Sequence, residues 1–321
     1  MDLDTRLDKD HLKVFSAIPA DFMDLSDIDA LRERVAASGA AARRPPWPEG
    51  VTMEDRVVPG WEGDPDVLVR LYTPDGLAPG AAALYWMHAG GMVLGGVAMN
   101  DDSNAAIAAE LGVLVASVEY RLAPEHPYPA QVDDSYAGLL WLHGAAAELG
   151  IDPDRIGVGG ASAGGGLAAA VALMARDRGV VRPCFQYLCY PMLDDRHGTA
   201  SSQRITDLRV WNLQASHLAW AAYLGEGVPG GTDVPVYAAP MRADDLSGLP
   251  PAYICVGDLD MFVDEDMAYA QALMRAGVPV ELHVYPGSFH GSDTMVPWAY
   301  HSRRWVSDTR AAIARGLHVE A

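Results

Sequence analysis

Gly160-Ala161-Ser162-Ala163-Gly164 sets one serine among small residues, between an apolar run, Ile156 to Gly159, and an alanine-rich run, Ala163 to Arg176. G-x-S-x-G between a strand and a helix is the pattern of a nucleophile elbow, a strained turn that lifts a serine hydroxyl above a sheet. Gly160 and Gly164 flank the serine because a side chain in so tight a turn would strike the neighbouring backbone. The competing reading is a dinucleotide loop, with Gly157 and Gly159 opening G-x-G-x-x-G. Its third glycine would fall at position 162, a serine, and no acidic residue closes the next strand, so the nucleophile reading is the stronger.

A serine hydroxyl is a weak nucleophile near neutral pH and needs a base, an acid to orient that base, and donors for the oxyanion. In the α/β-hydrolases, whose elbow this stretch resembles, these follow the serine in the order Asp or Glu, then His, each on a loop at the carboxyl end of a strand. The loop after the apolar run Ala252 to Val256 carries Asp258, Asp260 and Asp264, and the loop after Val280 to Val284 carries His290 between Phe289 and Gly291. His290 is the candidate base. Asp260 is the choice for the acid, and Asp264 is expected to cap the helix that follows. His88-Ala89-Gly90-Gly91 ends another apolar run, where glycines let backbone N–H groups approach a developing alkoxide. Gly90, Gly91 and Ala163 are the expected donors, and His88 is expected to hold the loop by hydrogen bonding.

These loops need a scaffold. Eight extended runs are read at Met53 to Val58, Val67 to Tyr72, Ala82 to Met87, Val113 to Val118, Ile156 to Gly159, Phe185 to Tyr190, Ala252 to Val256 and Val280 to Val284. Helical patterns lie between most of the later ones: Asn104 to Leu111, Val132 to Leu149, Ala163 to Arg176, Asp264 to Ala276 and Pro297 to Arg315. Alternation of this kind predicts an α/β fold with a mostly parallel sheet covered by helices on both faces. Two further patterns, Asp10 to Ile18 and Ser26 to Ala37, form a helical preface that leaves through the proline-rich stretch at Pro45 to Pro48. Arg196 to Leu249 is longer than a crossover requires and holds a helical piece, Leu213 to Leu224, as expected of a segment that covers an active site.

Composition narrows the function. The formal charge of −20 argues against nucleic acid or an anionic membrane as partner. Cys184, Cys189 and Cys255 fall in apolar, strand-like stretches, so they read as buried thiols rather than bridges or metal ligands. The first residues lack the basic and apolar regions of a signal peptide, and no run reaches the length that spans a bilayer, which makes the cytoplasm the expected compartment.

With these residues in place, the chain from about residue 65 to 315 resembles the hormone-sensitive-lipase-like esterases, which include bacterial family IV carboxylesterases. Besides the elbow, the likeness rests on Tyr120 to Ala130, reading YRLAPEHPYPA, on Leu249 to Ile254, and on the spacing from Asp260 to His290. It implies the α/β-hydrolase fold with a helical cap, a triad of Ser162, Asp260 and His290, and an oxyanion hole of Gly90, Gly91 and Ala163. It divides the chain into residues 1–50 as the N-terminal part of the cap, an insertion at 196–249 that contributes part of the cap, and 51–195 and 250–321 as core. Two positions depart from the family motifs: Ala89 stands where H-G-G-G has its first glycine, and Ala161 where G-D-S-A-G has its aspartate. Gly291-Ser292 also replaces the frequent Gly-Phe, leaving one pocket wall less apolar.

The expected activity is hydrolysis of short-to-medium acyl esters through an acyl-enzyme, without metal or organic cofactor. Amide hydrolysis, interfacial lipase action and non-catalytic binding, as in the gibberellin receptors that resemble these esterases, are the rivals; the presence of His290 favours turnover. A homodimer is expected from the resemblance. Met92, Trp47, Trp211 and Phe289 are the expected pocket walls.

Overall fold

The computed structural model describes residues 3–41 and 45–319. Eight strands form one sheet: β1 (Val51–Val58), β2 (Val67–Pro74), β3 (Ala81–Met87), β4 (Leu114–Glu119), β5 (Ile151–Ala161), β6 (Phe185–Cys189), β7 (Ala252–Gly257) and β8 (Val280–Tyr285). Their order is β1-β2-β4-β3-β5-β6-β7-β8. β1 and β2 are antiparallel to their neighbours, and from β4 onward the pairs are parallel. Every residue of β3, β6 and β7 is buried, as expected of parallel strands with helices on both faces.

The helices are α1 (Lys9–Phe15), α2 (Ile28–Ala41), α3 (Asp101–Leu111), α4 (Ala130–Gly144), α5 (Ala146–Leu149), α6 (Ala163–Arg178), α7 (Ala200–Arg204), α8 (Leu213–Leu224), α9 (Val263–Arg275), α10 (Ser292–Met295) and α11 (Tyr300–Gly316). One apolar cluster joins the sheet to α4, α6 and α9 and continues into residues of the preface and insertion such as Phe15, Leu31, Trp211 and Trp220. A second, with Ala105 and Ile107 of α3 and Trp305 and Ile313 of α11, fills the opposite face. No described helix is long and apolar enough to cross a membrane.

Two helical expectations change. The run Val132 to Leu149 is two helices, because the backbone leaves helical geometry at Ala145, directly after Gly144. The run Pro297 to Arg315 becomes α11 only from Tyr300, since Val296 and Ala299 are drawn into the core and hold the preceding segment out of the helix.

The preface and insertion meet each other. Met23 N–H donates to the Leu208 carbonyl at 2.7 Å. Arg209 pairs with Asp4 at 3.1 Å and lies 3.9 Å over the Phe15 ring, a cation–π contact that ties the two segments together.

Candidate active site

The turn at Ser162 is strained as its sequence predicts. Ser162 has φ 56 and ψ −120 between β5 and α6, its N–H donates to the Cys189 carbonyl at 2.9 Å, and its own carbonyl accepts from Gly166 and Met192 at 3.0 Å each. These bonds hold a conformation that a side-chain-bearing residue seldom adopts. A methyl group on Gly164 would lie 2.1 Å from the Met87 carbonyl oxygen, and one on Gly160 would lie 2.3 Å from that of Gly164. The end of β3 therefore packs directly on the elbow, which brings the His88 loop beside the serine.

His290 links the serine and the acid. Its Nε2 is 3.0 Å from Ser162 Oγ, and its Nδ1 is 2.7 Å from Asp260 Oδ2. With Asp260 as acceptor, Nδ1 carries the proton and Nε2 is the free acceptor that faces the hydroxyl. The loops that supply these two groups are fastened to one another. Asp258 N–H donates to the Tyr285 carbonyl at 3.0 Å, and Leu259 N–H to that of Ser288 at 3.1 Å.

The three carboxylates of the acid loop do different work. Asp260 also accepts the Phe262 N–H through Oδ1 at 3.0 Å. Asp258 accepts the Gly287 N–H at 2.7 Å and pairs with Arg6 at 3.0 Å. Asp264 does not cap α9. The helix begins at Val263, so Asp264 already lies in its first turn, and its carboxylate takes the Ser201 N–H at 2.7 Å.

The backbone N–H groups of Gly90, Gly91 and Ala163 have no hydrogen-bond partner among the described residues. Ala163 opens α6, where a helix leaves its first N–H groups free and partially positive. Gly90 has φ 134 and Gly91 φ 60; a side chain on Gly90 would strike the Leu94 carbonyl, and one on Gly91 the Trp211 ring. His88 is fully buried, stacked on Tyr120 with centroids 4.0 Å apart, and its Nδ1–H donates to the Ala89 carbonyl at 2.8 Å. Burial pushes its pKa down to about 4, opposed by that hydrogen bond, so it is neutral near pH 7.

Three rings surround His290, two of them, Tyr190 and Phe262, at positions that local sequence patterns do not single out. Tyr190 lies 4.6 Å from the His290 ring and Phe262 meets it edge-on at 5.4 Å, with Trp211 at 6.3 Å. Tyr190 and Phe262 both stand just beyond strands, so the strand-end rule that located the triad candidates is the available signal for them. Glu265, wholly buried, accepts the Leu193 N–H at 2.9 Å; burial raises its pKa well above the carboxylate range.

Of the four expected walls, Trp211 stands at the site. Met92 and Phe289 are core residues, Phe289 packing on Phe15 at 5.3 Å. Trp47 lies elsewhere: the chain leading into β1 carries it away from the loops, and its indole donates to the Val51 carbonyl at 2.9 Å. A cavity of about 300 Å³ opens beside His290, and both motif departures, Ala89 and Ala161, contribute to its wall. No group of three or more His, Cys, Asp or Glu among the described residues is placed to hold a metal.

Known proteins share this fold. A family description for the α/β hydrolase fold matches residues 84–294. Carboxylesterase NlhH of Mycobacterium tuberculosis is 39% identical over 268 residues, which is 83% of each chain. The structure of a bacterial heroin esterase superposes with a TM-score of 0.94 at 45% identity, covering 98% of both chains. That of esterase LipW from Mycobacterium marinum has a TM-score of 0.82 at 35% identity, covering 99% of this chain and 98% of the other. By sequence and by fold, the chain belongs to the α/β-hydrolase family, in its hormone-sensitive-lipase-like branch.

Proposed function

We propose that this protein is a serine carboxylesterase acting on short-to-medium acyl esters, with Ser162 as nucleophile, His290 as base and Asp260 as its orienting acid. The observation that carries the reading is the continuous pair of hydrogen bonds from Asp260 through His290 to Ser162, 2.7 and 3.0 Å long. As Oγ attacks the ester carbonyl, Nε2 takes its proton, and Asp260 stabilises the imidazolium without itself being protonated. The oxyanion rests on the N–H groups of Gly90, Gly91 and Ala163, each such donor being worth about 10²–10³ in rate. Collapse expels the alcohol, which receives its proton from Nε2. Water, deprotonated by the same imidazole, then attacks the acyl-enzyme; the acid departs and Ser162 regains its proton.

The relatives named esterase and carboxylesterase support ester over other acyl substrates. Residues 1–50 and part of 196–249 act in this reading as the cap, supported by the contacts of Met23 with Leu208 and of Trp211 with Gly91. The three free thiols suit a reducing cytoplasm. The test is hydrolysis of p-nitrophenyl esters of increasing chain length by the wild type and Ser162→Ala, with fluorophosphonate labelling alongside. Turnover of the shorter esters and labelling, both lost in the variant, are expected. A wild type that neither turns over any ester nor takes the label is a binding protein instead.

A further inference from the structure

The cavity beside His290 has a composition that ester hydrolysis alone does not use. Aromatic rings line it: Trp86 stacks on Tyr187 at 5.7 Å, and Tyr190 meets Trp305 edge-on at 5.7 Å. One carboxylate, Asp293, enters this wall from α10, three positions after His290. Its Oδ1 accepts the Tyr190 hydroxyl at 3.1 Å. Among the described residues Asp293 enters no ion pair. Arg310, which also borders the cavity, is held by Glu110 at 2.8 Å.

A carboxylate drawn partly out of water without a counter-ion is a costly arrangement. Burial raises the pKa of Asp293, opposed by the Tyr190 hydrogen bond and the nearby His290. A cation in the cavity would remove that cost, and aromatic faces around an anion are the recurring solution for binding quaternary ammonium groups. The family motif sets an aspartate just before the nucleophile, where this chain has Ala161; the carboxylate at this cavity comes from α10 instead, just after His290.

We propose that the cavity receives the alcohol half of the substrate and that Asp293 selects alcohols bearing an ammonium group. The inference rests on the esterase reading for the alcohol assignment: the departing oxygen takes its proton from His290 Nε2, so the alcohol lies on the imidazole side, and His290 is a wall of this cavity. A volume of about 300 Å³ is at the small end of ligand sites and admits a trimethylammonioethyl group.

The test compares acetylcholine with 3,3-dimethylbutyl acetate, which has the same shape with carbon in place of the charged nitrogen. The wild type should favour the choline ester in kcat/KM by about 10-fold, the size of a desolvated cation–π and carboxylate contact. Asp293→Asn keeps an oxygen for the Tyr190 hydroxyl and loses the charge, so the ratio should fall to near unity. Tetramethylammonium binding, measured by calorimetry, should weaken about 10-fold in the same variant. A wild-type ratio at or below unity, or a ratio and a binding constant that Asp293→Asn leaves in place, overturns the proposal. If p-nitrophenyl acetate is not turned over either, the esterase reading fails, and the ammonium calorimetry then decides the cavity: binding lost with Asp293 upholds the cation site, and no binding overturns it.

Discussion

Trp211 occupies the space into which a side chain on Gly91 would have to project: a methyl group there would lie 2.1 Å from the indole Cη2. The insertion thus reaches down to the loop that offers N–H groups beside the serine, and the loop and the indole constrain each other. Gly91→Ala must move the indole or the loop, and adds the cost of a methyl-bearing residue at φ 60. We expect a loss of about 10²-fold in kcat/KM for p-nitrophenyl acetate, the worth of one oxyanion donor. Adding Trp211→Ala should recover part of that loss. An unimpaired Gly91→Ala enzyme would remove Gly91 from the oxyanion hole.

Asp260→Asn should be far more damaging than its size suggests. The amide can still present its oxygen to the Phe262 N–H, now 3.0 Å from Asp260 Oδ1, and would then turn its NH₂ toward Nδ1. His290 would be forced into the tautomer with its proton on Nε2, facing Ser162 with a donor. We expect kcat to fall by about 10⁴-fold with KM little changed. A loss under tenfold in steady-state kinetics would assign the acid to another residue.

A general base accepts the nucleophile's proton only in its unprotonated form, so kcat/KM should decline on the acid side of the pH–rate profile. His88 and His197 are both held to about 4 by burial, His197 with help from the adjacent His217. Their pKa values are lowered, so both are neutral throughout the range above pH 5 and contribute nothing to the decline. A pH–rate profile of His197→Gln should keep the wild-type midpoint, and a displaced midpoint would show that His197 titrates with the site.

Stability has its own pH signature. Asp266 is fully buried with neither carboxylate oxygen partnered among the described residues, and burial, reinforced by Glu265 and Asp260, raises its pKa well above the ordinary range. A carboxyl raised in the folded state binds more protons there than in the unfolded chain. Stability is therefore lost as pH rises from the unfolded carboxylate pKa, about 3.9, through the folded value. Asp266→Asn carries no such charge, and its Tm should overtake the wild type on going from pH 5 to pH 9, by about 2–4 °C for each kcal/mol involved. Parallel Tm curves across that range would mean that the carboxyl does not titrate on unfolding.

Local signals explain which parts of this molecule can be read from its sequence. α8 spans Leu213–Leu224 as expected because both ends are marked: Asn212 accepts the Ala215 N–H as a side-chain cap, and Gly225 stops the helix. The strands follow their apolar runs to within a few residues, with β5 the furthest extended, starting at Ile151. Ser162, Asp260 and His290 could be proposed as partners because each stands just past such a run, and the fold brings them within hydrogen-bond reach. What could not be read depends on residues distant in the chain. Asp264 is taken by Ser201, 63 positions away, and the rings around His290 come from three separate loops. No periodicity records that Val296 and Ala299 are needed in the core and delay the start of α11.

The loop that carries His290 is braced by α1 and the residue before it. Both the Asp8 N–H, at 3.1 Å, and the His11 ring, at 2.8 Å, reach the carbonyl of Gly287, and the other His11 nitrogen reaches Ser302 at 3.1 Å. These partners are separated by 276 and 291 positions along the chain. Contacts of so great a sequence separation close very long loops, and in folding they are expected to come late. The turn at Ser162 is held by neighbours as near as Gly166, Cys189 and Met192. It can therefore form before the brace that fixes the His290 loop, so the order of folding runs from the elbow outward.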